Sequence, residues 1–154
     1  MATFQLANLD ARLTYLALQY HLARPGSEID PDTRQPAEHG LREVAHTLEP
    51  QLDRAVSTIE LSEYQRDRLA SAVAGALNQL KAYPLLAGSR STAPGFDAAL
   101  KRLFPDVAAD PDEATSLAGH LVALRRRLDA AALPPDERAN GGPKRSWRFW
   151  QRGA

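Results

Sequence analysis

Residues 41–61 read LREVAHTLEPQLDRAVSTIEL, and whether this stretch is one helix decides what kind of molecule the chain makes. Leu41, Ala45, Leu48, Leu52, Ala55 and Ile59 recur at alternating spacings of four and three, the stripe of an amphipathic helix. Pro50 lies inside the stretch and removes the backbone bond that would run to His46, at a cost of about 3 kcal/mol. The stripe stays in phase across Pro50, so the expected element is a helix over residues 36–60, kinked at Pro50, with Pro36 near its start.

Three further stripes flank it. Leu6, Leu9, Leu13, Leu16 and Tyr20 predict a helix over 3–24, and Leu69, Val73, Ala76, Leu80 and Tyr83 one over 63–83, closed by Pro84. Ser62 and Gln65 have the spacing of a capping box, each side chain able to satisfy the other's free backbone N–H. Small residues from Ala70 to Ala76 predict the close approach of a neighbouring helix. Ala114, Leu117, Leu121, Leu124, Leu128 and Ala131 predict a helix over 111–132, with Asp110 as N-cap and Pro111 in the first turn. A short helix is expected over 96–104, after the loop AGSRSTAPG.

Composition agrees with helices. Ala and Leu supply 49 residues, Val and Ile only seven, and strands favour β-branched side chains. The expected fold is therefore all-α: a four-helix-bundle-like single domain over 1–133, followed by a Pro/Gly linker and an aromatic-basic tail over 134–154. With no cysteine, disulfides and thiolate chemistry are excluded. The first twenty residues carry no basic leader and no unbroken apolar run, so a cytoplasmic location is expected.

Charge is unevenly placed. Residues 1–140 hold 15 Lys/Arg against 19 Asp/Glu, whereas 141–154 hold four cations and no acid. Both tryptophans, Trp147 and Trp150, lie in that tail with Phe149 between them, beside Lys144, Arg145, Arg148 and Arg152. Burying these three rings, at about 150–250 Å² each and about 25 cal/mol per Å², yields at most about 11–19 kcal/mol. Ordering about ten residues costs about 10–20 kcal/mol. The two nearly cancel, so docking needs a groove already formed and gains from an acidic surface around it. Trp147, Phe149, Trp150, Arg145 and Arg148 are the candidate interaction residues, for a protein surface on the same subunit, a sister subunit or a partner. Weak membrane-surface contact is a lesser expectation, and no nucleic-acid partner is expected from the overall charge.

One alternative is chemical. His39, Glu43 and His46 fall at i, i+4 and i+7, and Glu43–His46 has the Glu-x-x-His spacing of di-metal helical bundles. Such a site could take zinc, iron or manganese, although a second Glu-x-x-His is absent and the three residues lie opposite the apolar stripe. His120 is expected half-buried at a stripe edge, and His21 on the polar side of the first helix, near its C-terminal end. EIDPD, 28–32, lacks the glycine and glutamate that complete a calcium loop and reads as a solvated acidic turn. Gly88 to Thr92 read as a linker rather than a phosphate cradle. The leading expectation is a non-enzymatic interaction or regulatory protein, oligomeric, with no cofactor; the alternative is a metal-dependent bundle enzyme.

Overall fold

The computed structural model describes residues 1–37, 40–86 and 94–131. Over these the chain is mostly helical, with one small sheet. In order come β1 (Ala2–Ala7), α1 (Asn8–Leu22), α2 (Leu41–Leu48), β2 (Val56–Leu61), α3 (Glu63–Leu86), α4 (Pro94–Leu103), α5 (Pro105–Ala109) and α6 (Ala114–Ala131).

The two strands correct the sequence reading. The helix expected over 3–24 begins only at Asn8, because residues 2–7 form β1. The helix expected over 36–60 is α2 alone, followed by a 3₁₀ turn at Glu49–Gln51 that carries Pro50, and then by β2. Proline ends the helix here instead of kinking it. Its missing N–H and its ring deny α2 another turn, and Leu52 and Arg54 donate to Glu49 and Gln51 in tight turns. Beyond them Ser57, Ile59 and Leu61 are buried while Val56, Thr58 and Glu60 are exposed, the two-residue period of a strand. The apparent phase match at Ile59 arose because one residue satisfies both periods.

β1 and β2 pair antiparallel, with Ala2 opposite Leu61, Phe4 opposite Ile59 and Leu6 opposite Ser57. The inner face of this ribbon buries Leu6, Ile59 and Leu61 in the core. The outer face shows Thr3, Gln5, Ala7, Val56, Thr58 and Glu60 to solvent.

The helical remainder follows the expected stripes. Leu69, Val73, Ala76, Leu80 and Tyr83 of α3 are buried, as are Ala114, Leu117, Leu121, Leu124 and Leu128 of α6, and these two helices pack on each other and on α1. The capping box forms: Ser62 N–H donates to Gln65 Oε1 at 3.0 Å, and Gln65 N–H to Ser62 Oγ at 3.1 Å. Gly75 explains the small-residue run, because a Cβ there would strike the ring of Tyr20. Tyr20 in turn meets Phe96 of α4 edge to face, centroids 6.4 Å apart. Pro84 does not close α3, which continues to Leu86, and a 3₁₀ turn at Pro111–Glu113 precedes α6. Among the described residues, no helix is long and apolar enough to cross a membrane.

Candidate functional site

A two-stranded ribbon leaves backbone groups bare on both outer edges, and this one covers them selectively. Gln51 clasps Thr58 with its side-chain amide: Nε2 donates to Thr58 O at 3.1 Å, and Oε1 accepts from Thr58 N–H at 2.9 Å. The same Nε2 reaches Thr47 O, tying the clasp to α2. On the opposite edge Arg127 of α6 donates to Gln5 O at 2.8 Å and to Asp10 Oδ2 at 2.8 Å. Gln5 and Thr58 face each other across the ribbon, so in that one row both backbone groups of Thr58 and the carbonyl of Gln5 are covered.

The row two residues along is Thr3 opposite Glu60. By strand alternation its N–H and C=O groups also point outward, and among the described residues nothing bonds to those of Glu60. Beside this uncovered edge lies a groove of about 600 Å³. It is bounded by Glu43, Val44 and Thr47 of α2, by Thr58, Ile59 and Glu60 of β2, and by Met1, Ser62, Tyr64 and Gln65. Tyr64 is 45% exposed although its ring carries Arg68 at 5.1 Å, and Arg68 Nε and Nη2 donate to its hydroxyl. Glu43 and Glu60, both exposed, make the groove rim acidic. A main-chain edge, an exposed aromatic ring and two carboxylates suit an extended basic segment with apolar side chains.

The wall formed by α2 is positioned by a latch that sequence reasoning missed. Glu28 accepts from His21 Nε2–H at 2.7 Å and from the backbone N–H groups of Leu41 and Arg42 at 3.2 and 3.4 Å. Its carboxylate thus occupies the positive N-terminus of α2. Gly40 permits this approach, since a Cβ there would overlap the Glu28 carboxylate. His21, expected on the polar side of α1, is instead 5% exposed. Burial drives its pKa below the ordinary 6.5, against the opposing pull of Glu28, with Arg68 and Arg24 adding to the lowering. The EIDPD turn is therefore only partly solvated. Asp30 accepts from the N–H groups of Asp32 and Thr33, which hold its carboxylate below its usual range, while Glu28 faces inward. No spacing in the sequence marks Glu28 for this task; Gly40 just before an apolar stripe was the available signal.

Of the candidate metal residues, His39 lies outside the described residues. Glu43 and His46 stand one turn apart on the exposed side of α2 and border a shallow depression that also touches Glu28 and Gly40. Among the described residues, no group of three or more His, Cys, Asp or Glu side chains is placed to hold a metal ion. His120, expected half-buried, is exposed on α6. Trp147, Phe149, Trp150, Arg145 and Arg148 lie outside the described residues, as do Gly88 to Thr92. No family model matches the chain, and no curated protein or solved structure matches it.

Proposed function

We propose that this chain is a non-enzymatic helical interaction protein whose C-terminal segment docks on a protein surface, of its own subunit, a sister subunit or a partner. The observation that carries this reading is the separation of charge and aromatic area along the chain. Four cations and both tryptophans are gathered without an acid in 141–154, against an excess of acids in 1–140. Residues 1–133 would act as one helical, bundle-like body in the cytoplasm and 134–154 as linker and tail, with oligomers forming through the tail where it engages a sister copy. Aromatic anchors ringed by arginine are the side chains that dominate protein interfaces. Native mass spectrometry and chemical cross-linking of the full chain test this. In the full chain Lys144 is expected to cross-link to residues of 1–133, of a sister subunit or of a partner, and deleting 141–154 to change the mass of any oligomer the tail holds. An unchanged mass with no cross-link from Lys144 in the full chain would count against docking.

A second reading has one observation in its favour: Glu43 and His46 open onto the same depression, one helical turn apart. With His39 they would form a metal site for zinc, iron or manganese in a bundle enzyme. Titration calorimetry with each metal decides this, and no heat at micromolar metal that His46→Ala removes would end it.

A further inference from the structure

The exposed edge of β2 and the basic tail fit one another in kind, in charge and in reach. We propose that residues 144–152 of the same chain add to the outer edge of β2 as a short extended segment seated in the groove against α2. This deepens the docking reading above and rests on it.

The edge comes first. Along β2 the Gln51 side chain satisfies the backbone of Thr58 alone, so the clasp stops short of Glu60, whose N–H and C=O have no bonding partner among the described residues. An added strand bonds such groups through its own main chain and sorts its side chains alternately to the two faces. In an extended 144–152 segment, Trp147 and Phe149 fall on one face and Arg148 on the other. The first pair suits the side of Val44 and Tyr64; Arg148 suits the outer face, where the Glu60 side chain is exposed. Charge points the same way, because Glu43 and Glu60 rim the groove and the segment carries four cations and no acid.

Reach is sufficient. Arg127, one turn before the end of α6, touches Gln5 on the far edge of the ribbon, and Gln5 pairs with Thr58. Residues 132–143 extend up to about 40 Å, whereas the ribbon is only two strands wide at about 4.8 Å per strand. The chain can cross the ribbon and lie along β2 without disturbing any described element.

Trp147 and Trp150 are the two tryptophans of the chain, so tryptophan emission reports on the tail alone. By the same alternation Trp150 falls with Arg148 on the outer face. Acrylamide quenching of the full chain is therefore expected to resolve into one shielded tryptophan, Trp147, and one accessible one, independent of protein concentration, whereas both are accessible in a free 141–154 peptide. Glu60→Pro removes an outward-facing donor but no β1–β2 bond, a position where an edge strand tolerates proline; it should restore peptide-like quenching. Thr3→Pro makes the same change on the other edge and should leave quenching as in the unmodified chain. Glu60→Lys, which turns rim attraction into repulsion, should also restore quenching, and it decides the matter if circular dichroism shows Glu60→Pro to be unfolded. A shielded tryptophan that neither Glu60 variant exposes would overturn the groove while leaving docking elsewhere intact. Peptide-like quenching in the unmodified chain would overturn the groove and any docking of the tail on the chain's own surface. Protection that appears only as concentration rises would replace the same-chain segment by that of a second copy.

Discussion

The helical pair α3–α6 and the ribbon with α2 are built by different means. Between α3 and α6 the contact is a seam of fully buried leucines, with Leu69, Leu80 and Leu121 each at 1% exposure or less. Around the ribbon, position is fixed by polar side chains reaching backbone: Asn8 to Leu52 and Arg54, Gln51 to Thr58, Glu28 to the start of α2, and Arg127 to Gln5. A seam of leucines is non-directional and gains strength with area. A set of side-chain clasps is directional, contributes about 1 kcal/mol per bond, and can leave one row of an edge bare. The first kind of region sets stability; the second sets where a site is.

The contrast predicts unequal costs. Leu121→Ala removes a side chain with no solvent exposure from the α3–α6 seam and is expected to destabilise by about 2–5 kcal/mol, read by urea unfolding followed by circular dichroism. A loss below about 1 kcal/mol would mean the seam is not the stabilising element claimed for it. Gly40→Ala comes next. Its methyl group would expel the Glu28 carboxylate from the α2 N-terminus, removing bonds to a charged acceptor worth about 1.5–3 kcal/mol. The same unfolding curves, together with faster amide exchange in residues 41–45 than in α6, would register it.

The two regions also differ in how much of them the sequence displays. Leu117, Leu121, Leu124 and Leu128 announce α6 because a helix repeats one environment every turn, and periodicity is visible in letters. The Ser62–Gln65 box was equally legible, being a local rule of residue type and spacing. β1 was not, because Leu6 and Leu9 extend the stripe of α1 by three residues and mimic another turn. VSTIEL, with Val56, Thr58 and Ile59 β-branched and polar residues alternating, did carry a strand signal, but Ile59 also fitted the helical stripe. The groove was illegible for a deeper reason. It exists only where β2, α2 and Tyr64 come together, and the Gln51–Thr58 clasp that marks its end depends on a turn around Pro50 that no residue spacing encodes. Glu43, singled out as a metal-ligand candidate, also stands on the wall of that groove.

A pH titration sharpens the contrast, because only the ribbon side contains a buried histidine among the described residues. His21 binds its proton less readily when folded than the ordinary value of 6.5, chiefly because it is buried. Below pH 6.5 the unfolded chain therefore takes up the proton first, so stability is full above this value and falls as pH drops from it toward the lower folded value. The slope cannot exceed about 1.4 kcal/mol per pH unit for one proton. Melting temperature should fall between about pH 7.5 and pH 5.5, and His21→Gln should flatten that part of the profile. A profile that His21→Gln leaves unchanged would show that the latch does not respond to protons.

The smallest effect distinguishes the two edge covers. Gln51→Ala removes three hydrogen bonds to Thr47 and Thr58. All three are solvent-exposed and water replaces them in part, so the expected loss is about 1 kcal/mol for the set rather than for each bond. Arg127→Ala removes one bond to Gln5 and an ion pair with Asp10 in which the side chains are 46% and 27% exposed. Screening by water leaves such a pair about 0.2–1 kcal/mol, so Arg127→Ala should cost less than Gln51→Ala. A double-mutant cycle with Asp10→Asn isolates the ionic part. The two substitutions should separate more clearly in hydrogen exchange than in total stability. Thr58 N–H is held by Gln51 alone and loses its protection with Gln51→Ala, whereas Arg127→Ala frees a carbonyl, Gln5 O, and leaves every ribbon amide as protected as before. Equal amide exchange in the two variants would mean that Gln51 does not guard β2, and that the bare stretch of its edge begins at Thr58 rather than at Glu60.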